Sequence, residues 1–218
     1  MRFLFDPLNY ALGDPSSIPN LLAQHLVIVG LSMGISMLIA LPLAVLVARS
    51  RRLYLAVLTV AGLLYTIPGL ALLALLVPVT GLSITTVIVP LILYAQLVLI
   101  RNTVTAIQGI DPLLIEIGRA MGMTRSQLLW RVVTPLALPL VIAGIRVATV
   151  TTIGIASLAS LVGAGGLGDL IFSSIQNANY DEVLAGGIVI GLVAVLADLL
   201  LLGVQAAADR GRQGASLR

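Results

Sequence analysis

The chain has 218 residues, of which 59% are hydrophobic and only 10% charged, a composition well outside that of soluble globular domains. Its net charge is +3, every basic residue is Arg, and these fall mainly between apolar stretches, so the charge reads as membrane topology and not as a nucleic-acid footprint. Without cysteine there is no disulfide framework, thiolate metal site or cysteine nucleophile, and one histidine, His25, excludes a histidine metal cluster within the chain.

Residues 1–20 are mixed, with three prolines and two acids, and lack the small-residue cleavage site of a signal peptide; they read as an extracytoplasmic or interfacial lead-in. A transmembrane domain then covers residues 21–207, and 208–218 form a polar tail. Five spans are predicted, each near the roughly 20 apolar residues that cross a bilayer. They are Leu21–Ala48, closed by Arg49, Arg51 and Arg52; Leu53–Val77, ended by Pro78 and Gly81; Leu82–Ile100, closed by Arg101; Leu136–Leu161; and Val183–Ala207. The first, second and fourth are long enough to tilt, to bend at Pro42 or Pro68, or to break, so four or six spans also fit. The fold class is therefore all-α membrane protein. The arginine-rich segments, including Arg210, Arg212 and Arg218, are placed in the cytoplasm by the positive-inside rule, which puts the N-terminus and the 162–182 loop outside and the C-terminus inside.

Between the third and fourth spans lies the one long polar interruption, Asp111 to Pro139. Asp111 suits an N-cap, and Pro112 the first helical position, where its missing N–H costs nothing. Leu113, Leu114, Ile117 and Met121 recur at helical spacing and make one apolar face, with Glu116 and Arg119 elsewhere on the rod. Gly122 fits the left-handed residue that ends a helix. Thr124 with Gln127 has the capping-box spacing for a second helix that changes course around Pro135 and Pro139. On physical grounds alone this helix-turn-helix could equally lie on the lipid surface.

Smaller features follow. Gly30–Gly34 and Gly187–Gly191 are small-residue pairs, expected to pack helices within the chain, with a dimer contact as the alternative. Gly163, Gly165, Gly166 and Gly168 match G-x-G-x-x-G formally, but no βαβ unit surrounds them, so a dinucleotide site is rejected and a tight turn near an outer gate is expected. No G-x-x-x-x-G-K-[ST] occurs, so ATP is not held by a P-loop in this chain. Arg146 and Asp198 fall inside the fourth and fifth spans, roughly 10–14 Å from the same membrane face, and are expected to pair as a structural clamp. Tyr65, Pro68, Tyr94 and Gln96 are the polar or kinking residues that could line a pathway, and tyrosine rings can hold a quaternary ammonium.

Glu116, Gly122 after Ile117-Gly118 and three further residues, and then Pro135 after Val132-Val133-Thr134, carry the spacing of the "EAA" loop of ABC importer permeases, which the chain resembles. Ile117 and Gly118 stand where that family has alanines, Val132 replaces Ile and Thr134 replaces Leu. The stretches 64–68, 100–103, 135–146 and 163–169 are similar to the osmoprotectant branch, which serves glycine betaine, choline and carnitine. The resemblance implies a non-catalytic subunit in the membrane of a bacterium or archaeon. It would bind no cofactor of its own. Its expected partners are an ATP-binding subunit at the loop, a second permease chain, a separate extracytoplasmic substrate-binding protein and the lipid bilayer. The coupling loop would comprise Asp111, Pro112, Glu116, Gly118, Arg119, Ala120, Gly122 and Pro135, with Glu116 anchoring it. Methionine-type importers share a similar core and loop. A stand-alone secondary transporter is the rival from another class, disfavoured by the few spans, the lack of an inverted repeat and the scarcity of intramembrane acids.

Overall fold

The computed structural model describes residues 2–215 and is helical throughout, with no strand among them. Arg218 lies outside the described residues. Two short 3₁₀ turns, Arg2–Phe5 and Pro7–Tyr10, precede α1, Ile18–Val47. α1 starts just inside the expected lead-in because Ser17 is extended and Pro19 suits the first helical turn. It continues through Pro42 without interruption.

The expected second span is not one helix. α2, Arg51–Thr66, and α3, Gly69–Thr80, meet at an 89° bend. The cause is local: Pro68 has no N–H and pushes Ile67 out of the helical region, to φ −69° and ψ 125°. α4, Ile84–Gln108, overruns its expected end at Ile100 by eight residues. Arg101 does not close it, since Thr103, Val104 and Ala106 bury themselves and no breaker occurs before Gly109.

α5, Pro112–Ala120, is followed by α6, Arg125–Leu128, a π turn over Leu129–Val133, and α7, Thr134–Ala156. From Arg125 to Val162 the rod is continuous for 38 residues, so the second loop helix and the fourth span are one piece and the chain does not break at Pro135. The π turn absorbs the proline. Thr134 donates to Leu129 O, one residue further back than in an α-helix, just before Pro135, which has no N–H to give. A 3₁₀ turn, Ser157–Val162, leads to α8, Asp169–Gln176, and then α9, Tyr180–Ala215.

α1, α4 and α7 form the core. Its centre mixes Ile28, Leu91, Leu99, Ile100 and Ile153 with Ala40, Ala44, Ala95 and Ala148, whose small side chains let the helices approach closely. α9 lies outermost, packed on α7 and α8, and none of the residues in its most apolar stretch is buried. Among the described residues, four helices are long and apolar enough to cross a bilayer, five if α2 and α3 together make one broken span.

Candidate functional site

The polar loop is held by its own caps. Asp111 Oδ1 accepts from Leu113 N–H at 2.9 Å. Gly122, at φ 78°, ends α5 in a paired turn: its N–H donates to Arg119 O and Met123 N–H reaches back to Gly118 O. Thr124 Oγ1 accepts from Gln127 N–H at 3.3 Å, and Gln127 Oε1 accepts from Thr124 N–H at 2.8 Å, closing the capping box. Several of the free helix-end groups between α5 and α6 thus have local partners.

Gly118 is what lets the two helices close. It is buried, and a Cβ built there would sit 2.7 Å from Leu128 Cδ1. Gly118→Ala should be tolerated, because the contacted atom is the end of a flexible side chain. Gly118→Leu should splay α5 from α6 at a cost of about 1–3 kcal/mol. Hydrogen exchange across residues 112–128 would report the difference as faster amide exchange in the leucine variant only.

What the loop shows to the outside is apolar. Leu113, Leu114 and Ile117 are exposed on α5, Met121 is exposed just past its end, and Trp130 follows on the π turn, 68% exposed. Glu116 is exposed and makes no hydrogen bond or ion pair among the described residues. Arg119, Ala120 and Pro135 are exposed as well.

Further along the chain, the intramembrane charges meet. Arg146 Nε donates to Asp198 Oδ1 at 2.9 Å and Nη2 to Asp198 Oδ2 at 2.8 Å, a two-pronged pair joining α7 to α9. Arg146 Nη1 also donates to Gln205 Oε1 at 2.8 Å. Sequence reasoning missed Gln205, although it lies seven residues past Asp198, two turns along the same helix face.

Of the four pathway candidates, three come together. Tyr65 and Tyr94 form an edge-to-face pair with centroids 5.6 Å apart, and Tyr94 Oη donates to Ile67 O at 2.7 Å. That bond satisfies a carbonyl at the break that Pro68 imposes. Gln96 stands apart: its Nε2 donates to Ser36 O on α1 and to Ile92 O, so it belongs to the α1–α4 contact.

The glycine turn is tight, with Gly163, Gly165 and Gly166 at positive φ. A Cβ on Gly168 would lie 1.9 Å from Ser157 O. The turn rests on α1, where Gln24 Oε1 accepts from Gly166 N–H at 3.0 Å. The adjacent His25 is fully buried, its Nε2 3.1 Å from Ile153 O on α7. Gln24 and His25 were not singled out as site residues, yet polar groups inside an apolar span were the signal available. The two small-residue pairs differ from expectation. A Cβ on Gly30, Gly34, Gly187 or Gly191 would meet nothing within 4 Å, so none packs a helix within the chain; Gly186 does that instead, against Leu170 and Ile171.

With this geometry in place, the comparisons with known proteins are specific. The profile of the family described as "Binding-protein-dependent transport system inner membrane component" matches residues 36–214. The chain is 38% identical over 205 residues to the osmoprotectant import permease protein OsmW of Salmonella typhimurium, covering 92% of this chain and 95% of that one. It is 44% identical over 165 residues to the glycine betaine/carnitine/choline transport system permease protein OpuCD of Bacillus subtilis, covering 75% and 72%. To the choline transport system permease protein OpuBD of the same organism it is 39% identical over 208 residues, covering 95% and 92%. Among solved structures, a chain of the MetNI methionine ABC transporter in an inward-facing conformation superposes with a TM-score of 0.79 at 25% identity, covering 88% of this chain and 95% of that chain.

Proposed function

The chain belongs to the family of binding-protein-dependent transport system inner membrane components, and from that premise we propose that it carries a quaternary-ammonium compatible solute such as glycine betaine, choline or carnitine. It is a multi-pass membrane permease subunit of an ABC importer. The relatives named for osmoprotectants, carnitine and choline support the substrate class over methionine, for which the likeness is one of fold.

The observation that carries the mechanism is the capped α5–α6 unit. A rigid short helix with an exposed apolar face, continuous through the π turn with the long rod of α7, is a lever. We place the ATP-binding subunit against Leu113, Leu114, Ile117 and Met121. Closure of two such motors on ATP pushes α5, and α6–α7 carries the push into the membrane. Glu116, which has no partner within the described residues, is assigned to the motor's surface. A second permease chain completes the pathway, and a substrate-binding protein on the outer side delivers the solute. The arginine-rich segments face the cytoplasm, with the N-terminus outside. Selectivity is assigned to the binding protein; the Tyr65–Tyr94 pair buttresses the break at Pro68, as the Tyr94 bond to Ile67 O supports.

Uptake tests the substrate class. Cells stripped of other osmoprotectant transporters, expressing the chain with its partner subunits, should accumulate labelled betaine, choline or carnitine and not methionine. Methionine uptake without any of the three would overturn the proposal. Tyr65→Ala and Tyr94→Ala should leave the order of preference among the three unchanged.

A further inference from the structure

Beside the coupling loop, a cavity of about 720 Å³ opens between the end of α1, the end of α4 and the α5–α6 unit. Three arginines line it from three different places: Arg49 just past α1, Arg119 on α5 and Arg125 at the start of α6. No acid lines it. None of the three side chains makes a hydrogen bond or ion pair among the described residues. Its floor is apolar, with Ile107, Ile115 and Leu129 among the residues that form it.

Three like charges around one cavity repel each other unless an anion joins them. The guanidinium fork fits phosphate oxygens in pairs, so the chemistry selected is a phosphate. A free phosphate would fill the rim and leave the apolar floor wet. A phosphodiester with hydrocarbon attached fills both. The cavity also sits where two apolar helices, α1 and α4, end, and basic pockets between helix ends suit anionic lipid headgroups. We propose that this cavity binds the headgroup of one anionic phospholipid, its phosphate bridging Arg49, Arg119 and Arg125 and its acyl chains leaving over the apolar floor. The bound lipid ties the end of α1 to both loop helices, so it braces the lever. The inference rests on the chain lying in a membrane and not on the identity of the solute.

The test is lipid retention by the full chain in mild non-ionic detergent, read by native mass spectrometry. Phosphatidylglycerol and phosphatidylcholine of the same acyl chains are titrated in parallel, with glycerol 1-phosphate as the chain-free arm. One phosphatidylglycerol per chain should bind in preference to phosphatidylcholine and weaken as salt rises. At about fivefold per arginine, Arg49→Gln with Arg125→Gln should weaken it roughly twenty-five-fold. Arg51→Gln with Arg52→Gln, the same charge change outside the cavity, should leave it nearly unchanged. Leu129→Trp, which fills the floor and keeps every charge, should also lose the lipid, and it serves if the arginine variants fail to fold. Equal retention of the two lipids, or equal losses in the two double variants, overturns the proposal. Glycerol 1-phosphate binding as tightly as the lipid assigns the site to a free phosphate and overturns the lipid. Wild-type retention in the cavity variants leaves the arginines to a protein partner and overturns it as well.

Discussion

Gly168→Ala should empty the membrane of folded protein. The added Cβ would lie 1.9 Å from Ser157 O and 2.7 Å from its carbonyl carbon, and both are backbone atoms that no rotamer change can move. The surroundings have little slack: Leu167 is fully buried and the Gly166 N–H is already held by Gln24. A backbone overlap of this kind belongs to the exceptional tail of single substitutions, above roughly 4 kcal/mol. Membrane level and thermal stability in detergent are the measurements. Gly187→Ala is the control, since its Cβ would meet nothing within 4 Å, and alanine in a helix interior gains about 0.5–1 kcal/mol over glycine. A wild-type melting temperature for Gly168→Ala would show that the turn after α7 is looser than described.

The second large effect is at the intramembrane charge pair. Asp198→Leu should strongly destabilise the chain, because it leaves Arg146 inside a span with only the amide of Gln205 as partner. Removing both charges, in Arg146→Leu with Asp198→Leu, should recover most of the loss. Taking one partner from an ion pair costs more than replacing the pair by apolar side chains. Detergent melts of the two single variants and the double variant give the coupling directly. If the double variant is no more stable than Asp198→Leu, the pair is not the clamp between α7 and α9 that its geometry indicates.

Much of the fold was legible because its signals are local. The caps at Asp111 and Thr124 and the left-handed Gly122 depend on residues within one turn, and each takes the geometry its residue type predicts. Apolar length located the spans for the same reason. What failed was non-local. Pro68 announced a bend or break in the second span, but not the partner that Ile67 O finds there, Tyr94, far along the chain. The continuity of α6 with α7 depends on a π turn that shifts the hydrogen-bond register ahead of Pro135, which no composition pattern announces. Arg101 was read as a stop because charges end apolar runs, yet α4 continues as its next turns bury Thr103 and Val104. The small-residue pairs misled for a related reason: spacing marks a surface on which a helix could pack, and only the assembled chain shows whether one does. Gln205, Gln24 and His25 were readable as polar groups in apolar helices, but their partners lie on other helices and could not be paired from the sequence alone.

The central claim is that α5 is where an ATP-binding subunit grips this permease. The direct measurement is co-purification of the tagged full chain with that subunit in mild detergent, for the wild type, Glu116→Lys and Ile117→Glu. Both side chains are exposed and Glu116 makes no bond among the described residues, so neither change should disturb the fold of the permease. The account predicts that the ATPase follows the wild-type chain and is largely lost from Ile117→Glu, with Glu116→Lys weakened. An ATPase recovered equally with all three would contradict it, and α5 would then be a helix lying on the lipid surface.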